Sequence, residues 1–117
     1  MTDAAGIVHF ANYFHMAEEA ELYAMERMGV LGRLIKGEMQ MPRVHVKADY
    51  MRPLKLWEEY SVRAKLEKVG NSSLHWSFDI CCGDALCARL KWVCVRLDAQ
   101  GVKSDFTREE RELFVEI

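Results

Sequence analysis

The chain has 117 residues, with Lys+Arg 16 against Asp+Glu 18 and a formal net charge of −2. That is room for one domain and not two, and with 50% of residues hydrophobic and 29% charged it excludes a disordered or fibrous protein. The near-neutral charge argues against a broad basic face for nucleic acid, and no apolar run approaches the roughly 20 residues that span a bilayer, so neither is an expected partner.

Cys81, Cys82, Cys87 and Cys94 lack CxxC spacing and lie inside apolar runs. With no basic-then-apolar leader in the sequence, they read as small core residues in a reducing cytoplasm. Vicinal Cys81 and Cys82 would point to opposite faces of a strand, one into the core and one outward. Trp57, Trp76 and Trp92 read as core or interface aromatics.

From Asn12 to Met28, apolar residues recur every three or four positions, at Tyr13, Met16, Ala17, Ala20, Ala24 and Met28. Glu18, Glu19 and Glu26 fall on the far side, so the segment predicts an amphipathic helix that Gly29 ends. Leu22, Tyr23 and Met25 spread apolar character around its flanks, which suits a partly enclosed helix. After Pro42 the period becomes two. Val44, Val46, Ala48 and Tyr50 alternate with His45, Lys47 and Asp49, giving a half-buried strand over Arg43 to Tyr50. Pro53 marks a loop. A second strand runs from Tyr60 to Glu67, and the Gly70-Asn71 turn leads to a third at Leu74 to Cys82. Gly83-Asp84 offers a tight hairpin turn into a fourth strand over Ala85 to Leu97. There the apolar face switches near Trp92-Val93, so either both faces are covered or a bulge shifts the register. Thr107 and Glu110 stand at capping-box spacing for a short last helix. The order predicts an α+β fold, one long helix on the apolar face of an antiparallel sheet.

The segment before the long helix carries the chemistry. Gly6 permits a sharp turn, and Asp3 lies ahead of a helix start where free N–H groups and the positive dipole end collect. A carboxylate and aimed donors at one helix start can handle an acyl carbonyl, one attacking or activating water and the other holding the oxyanion. On local physics alone a plainer reading stands beside this one: Asp3 caps the helix or is a solvated acid. The four histidines have no metal-ligand spacing, no Gly-rich phosphate loop follows a strand, and no G-x-S-x-G elbow exists. Neither a metal nor a cofactor is expected.

The stretch D-x-x-G-I-V-x-F-x-N-Y, here Asp3, Gly6, Ile7, Val8, Phe10, Asn12 and Tyr13, resembles the hotdog-fold thioesterases of the 4-hydroxybenzoyl-CoA thioesterase class, including the YbgC-like acyl-CoA hydrolases. Pro42, Tyr50, Pro53 and the turn from Gly70 to Ser73 agree more loosely. The resemblance implies a single hotdog domain over residues 1–117, a long helix wrapped by a curved antiparallel sheet. It implies hydrolysis of an acyl-CoA thioester, with CoA as part of the substrate and no separate cofactor. Asp3 corresponds to the catalytic carboxylate, as nucleophile or as base. Phe10 corresponds to the residue whose backbone N–H polarises the thioester carbonyl, and Gly6 shapes the turn between them. His9, Asn12, Tyr13, Lys68 and Ser73 are the corresponding candidates for lining the substrate site, with Arg89 and Lys91 as further phosphate partners or simply a solvated face. Glu19 is a second acid on the helix, expected to point away from the sheet into solvent. Acyl-carrier-protein thioesters and a non-catalytic acyl-thioester binding module are the alternative readings. The resemblance also implies a homodimer joined through the strand Arg43 to Tyr50, two dimers forming a homotetramer, with the active site between subunits. Family chains normally carry a strand before the Asp motif. Two residues stand there in this sequence, so that strand is expected to be missing or truncated and one sheet edge left unpaired.

Overall fold

A helix with one apolar stripe and strands of period two have one economical arrangement, the stripe laid across the apolar face of the sheet. The computed structural model, which describes residues 10–55 and 58–114, has that arrangement. The elements are α1 (Phe10–Met28), α2 (Leu31–Ile35), β1 (Met39–Gln40), β2 (Arg43–Tyr50), β3 (Ser61–Val69), β4 (Ser73–Cys82), β5 (Ala85–Val95), β6 (Leu97–Asp98) and α3 (Arg108–Leu113). Among the described residues a four-stranded antiparallel sheet runs β2-β5-β4-β3, while β1 and β6 pair separately. Among the described residues, no helix is long and apolar enough to cross a membrane.

Helix α1 ends as the sequence predicts. Gly29 takes φ +80, its N–H bonds the Glu26 carbonyl at 3.1 Å, and the Val30 N–H returns to the Met25 carbonyl at 2.9 Å. Val30 and Met25 are both buried, so an apolar contact closes this Schellman turn. The buried stripe differs in part from the expected one. Tyr13, Met16 and Ala17 are buried as expected, but the stripe continues through Glu21 and Met25, while Ala20, Ala24 and Met28 are only partly covered. They face an open groove of about 760 Å³ between α1 and β3, walled on the strand side by Val62 and Ala64. Glu21 has partners inside, described below, and β3 is a sheet edge among the described residues.

The inner sheet face is apolar through Leu66, Leu74, Trp76, Phe78, Ile80, Ala88, Leu90, Trp92 and Cys94. The Phe78 ring packs 4.4 Å from Trp92 and 5.7 Å from Trp76, centroid to centroid. β5 corrects one expectation. Ala88, Leu90, Trp92 and Cys94 all face inward, so the face does not switch near Trp92-Val93. A register shift does lie opposite Val93 and Cys94, where Val44 is the extra residue on β2, and a second lies nearer the hairpin, where Ile80 pairs with Ala88 but Cys81 pairs with Leu86, leaving Cys87 as the extra residue. Val93 reads as apolar but is a half-buried outer-face residue between His45 and His75. The hairpin itself turns at Gly83 with φ +58, as mirror-image two-residue turns require. Cys87 and Cys94 are buried, Cys81 and Cys82 are both half-buried, and all four are free thiols.

The C-terminal segment folds back over the far end of the sheet. Thr107 and Glu110 form the expected capping box, with Glu110 N to Thr107 Oγ1 at 3.1 Å and Thr107 N to Glu110 Oε1 at 2.9 Å. The same carboxylate takes a two-pronged donation from Arg96 at 2.7 and 2.9 Å, with the two side chains only 7% and 4% exposed. Burial pushes the Glu110 carboxyl up, but Arg96 and the Thr107 N–H outweigh it and hold it below the usual range. Removing one partner strands the other charge indoors. Glu110→Ala is therefore expected to cost about 3–5 kcal/mol in urea unfolding; a loss below about 1 kcal/mol would mean the pair behaves as a surface contact.

Candidate functional site

The helix that follows the segment singled out by the sequence is described from Phe10 onward, and its first described turn carries no acidic residue. Asp3, Gly6 and His9 lie outside the described residues. Asn12 is half-buried in the first turn. Tyr13 is 3% exposed, its ring edge-on to Tyr50 at 5.3 Å, and its hydroxyl accepts the Leu54 N–H at 3.1 Å. That placement suits support of the helix end better than contact with a ligand.

The segment that meets Tyr13 is held to the sheet by the bulge. The Cys87 carbonyl accepts two N–H groups, from Met51 at 2.9 Å and Arg52 at 3.1 Å. The Arg52 guanidinium then donates to Glu58 at 2.9 Å and reaches the Cys87 sulfur at 3.6 Å. Glu58 also accepts from the Lys55 N–H and the Cys82 thiol, each at 2.9 Å. These donors, the Cys82 thiol first and then Arg52 and the Lys55 amide, hold the Glu58 carboxyl down to about 2. The Glu58 carboxylate in turn raises the Cys82 thiol.

A second carboxylate, Glu21, escaped the sequence reading. It is 6% exposed and accepts from Trp92 Nε1 at 2.6 Å and from Arg43 Nη2 at 2.6 Å, with Arg43 stacked 4.4 Å over the Trp92 ring. Burial raises its carboxyl against the opposing pull of Trp92 and Arg43. Burial, with the Glu21 charge beside it, pushes the Cys94 thiol up to about 12. The available signal was spacing. Tyr13, Ala17, Glu21 and Met25 form one strict four-residue stripe, and an acid on such a stripe needs indoor donors like Trp92 and Arg43.

The remaining candidates are dispersed. Ser73, whose Oγ lies 3.2 Å from His75 Nε2, opens β4, and Lys68 is exposed near the end of β3. Tyr50, beside Tyr13, aligns instead with Ala88 and Ile80. Seven residues of strand separate Ser73 from Ile80, roughly 23 Å, so one chain does not bring Lys68 and Ser73 to the α1 start. Arg89 and Lys91 lie on the outer sheet face, Arg89 in a two-pronged pair with Asp79 at 2.7 and 3.1 Å and Lys91 3.5 Å from Glu67. Glu19 is exposed as expected, at the rim of the groove between α1 and β3.

The lowered Glu58 acidity links this loop to pH. A depressed carboxyl stabilises the fold above its ordinary value of 4.5, and that contribution is lost as pH falls toward about 2. The stability gap between the parent chain and Glu58→Gln, followed by urea unfolding, is expected to shrink over that window. A gap constant from pH 6 to about 2 would contradict the assignment.

The thioesterase superfamily profile matches residues 5–88. The 1,4-dihydroxy-2-naphthoyl-CoA hydrolase of Prochlorococcus marinus (strain NATL1A) is 31% identical over 81 residues, 62% of this chain and 54% of that one. The chain spans about half the length of the curated relatives it matches. Among solved structures, a 1,4-dihydroxy-2-naphthoyl-CoA thioesterase from Synechocystis superposes with TM-score 0.83 at 19% identity, covering 96% of this chain and 85% of that one. A thioesterase from Thermus thermophilus, complexed with coenzyme A and Zn, gives 0.80 at 24% identity, covering 96% and 82%. At these identities the structural likeness is one of fold. The matched residues run from Ala5 through α1 and the sheet to the Cys87 bulge, and on that span the chain belongs to the thioesterase superfamily, with its hotdog fold.

Proposed function

We propose that this chain hydrolyses an acyl-CoA thioester at the N-terminal end of α1. The observation that carries the reading is the thioesterase superfamily match over residues 5–88, which takes in Gly6 and the long helix described from Phe10, with no acid in that helix's first described turn. Free first-turn amides stabilise negative charge developing on a carbonyl oxygen, with Phe10 N–H as the donor aimed at it. Asp3 supplies the carboxylate. In one route it attacks the carbonyl carbon, the C–S bond breaks, CoA leaves as its thiolate, and water hydrolyses the resulting mixed anhydride. In the other it takes a proton from the water that attacks. Gly6 shapes the turn between the two groups. The names of the relatives, 1,4-dihydroxy-2-naphthoyl-CoA hydrolases, put aromatic acyl groups first in any substrate panel.

Assembly belongs to the same proposal. β2 is a sheet edge among the described residues, with Val44 60% and Val46 44% exposed and Tyr50 and Met51 exposed beside them. An eight-residue edge with unpaired backbone groups and exposed valines is a template for pairing, and we read it as the twofold contact of a homodimer, with two dimers making a tetramer. Sedimentation at micromolar concentration is expected to give a dimer or tetramer, and Val46→Glu to shift it toward monomer. A stable monomer for the parent chain would overturn this.

The activity is tested with Asp3→Asn across a panel of aromatic and aliphatic acyl-CoA esters. The amide keeps the shape of the side chain but is neither an anionic nucleophile nor a base. A kcat loss of about 10²-fold or more is expected, with the fold and ester binding retained. Undiminished turnover in the variant would remove Asp3 from the mechanism. A parent chain that binds these esters and hydrolyses none of them would be a binding module instead.

A further inference from the structure

Tyr13 is one helical turn beyond Phe10, and any slide or rotation of α1 at Tyr13 is transmitted to the first-turn amides. Its ring is buried against Tyr50, which fixes where the side chain lies but not how the helix end is set along the sheet. The hydroxyl supplies that setting. It accepts the N–H of Leu54, itself 1% exposed, in a buried bond of 3.1 Å. Without the phenol oxygen, that N–H would stand indoors with no acceptor, so the contact is strongly enforced.

Leu54 is no free-swinging loop residue. Met51 and Arg52 on one side are bonded to the Cys87 carbonyl at the β5 bulge, and Arg52, Lys55 and Cys82 all converge on Glu58 on the other. Residues 51–55 are thereby carried by the sheet and tied to Glu58, and Tyr13 Oη gives them a polar bond to α1. A bulge in β5 thus has a job at the other side of the layer: it presents a carbonyl that anchors these residues, which in turn register the helix.

We propose that Tyr13 is a positioning residue, whose hydroxyl, bound by the Leu54 N–H, aims the α1 first-turn donors at the reacting carbonyl. The inference rests on the thioester-hydrolase reading of that helix end and deepens it. An oxyanion donor contributes only when it meets the oxygen at bonding distance, and displacement by an ångström can cost about 10²-fold. Losing the pin alone, with the ring still packed, allows a smaller movement.

The test is Tyr13→Phe, which keeps the ring and deletes the acceptor, with the core variant Leu66→Val as a stability-matched control. kcat and KM for the best acyl-CoA, Tm, and amide hydrogen exchange of residues 14–17, whose N–H groups bond the first-turn carbonyls, are measured on each. The expected result for Tyr13→Phe is a kcat loss of about 10-fold with KM within about twofold, and faster exchange at residues 14–17. Leu66→Val, at a similar fall in Tm, keeps its kcat. Parent-level kcat in Tyr13→Phe, or a loss matched by Leu66→Val, would overturn the proposal. Should the parent hydrolyse no acyl-CoA, the hydrolase reading fails separately, and exchange decides the pin: faster at residues 14–17 in Tyr13→Phe upholds it, and unchanged protection overturns it.

Discussion

A single buried carboxylate determines how the helix sits on the sheet. Glu21 faces inward between Ala17 and Met25 and is satisfied only where Trp92 Nε1 and the Arg43 guanidinium both reach it. Moving α1 by one turn would leave a charge in the core without donors, at a cost of several kcal/mol. The Tyr13–Leu54 bond lies eight residues away, roughly 12 Å along the axis. Two polar bonds at that separation set both the rotation and the translation of the helix, which dispersion contacts among Met16, Ala17 and Met25 define only loosely. The position of the Phe10 amide is a consequence of that seat.

The same seat explains the uneven cover of α1. Glu21 and Met25 are buried on the side that meets Trp92 and Arg43, while Ala20, Ala24 and Met28 look into the groove beside β3. The sheet has two open edges among the described residues, and they differ. β2 presents exposed valines, whereas the inward side chains of β3, Val62 and Ala64, border the groove. The separation of Ser73 from Tyr50 along the sheet places the turn that holds Lys68 and Ser73 at the far end from the helix start. A site using both ends would draw them from different chains, as the dimer reading allows.

Much of this was legible in residue order. Gly29 after an amphipathic run, Gly83-Asp84 between alternating strands, and Thr107 with Glu110 each carry their own local chemistry, and each element forms where that chemistry puts it. What was not legible depends on contacts distant in sequence. An acid at position 21 reads as surface until Trp92 and Arg43, more than 20 residues away, are known to meet it. The bulge at Cys87 leaves no mark because cysteine fits either face of a strand, whereas Trp92-Val93 suggests a switch that the pairing of His45, Val93 and His75 does not bear out. The short α2, β1 and β6 carry too few residues to show a period. At the candidate site, the motif proposes residues by resemblance, but the support of Tyr13 by Leu54 is a tertiary contact with no sequence signature.

The claim that the α1 start receives the acyl carbonyl is tested most directly by amide NMR with a CoA thioether ketone, in which a methylene between sulfur and carbonyl prevents hydrolysis. On binding, the Phe10 amide proton is predicted to move downfield by more than any other backbone amide, with smaller shifts through the first turn. Saturable binding that leaves Phe10 and its neighbours unmoved, with shifts gathered instead along the groove between α1 and β3, would contradict it.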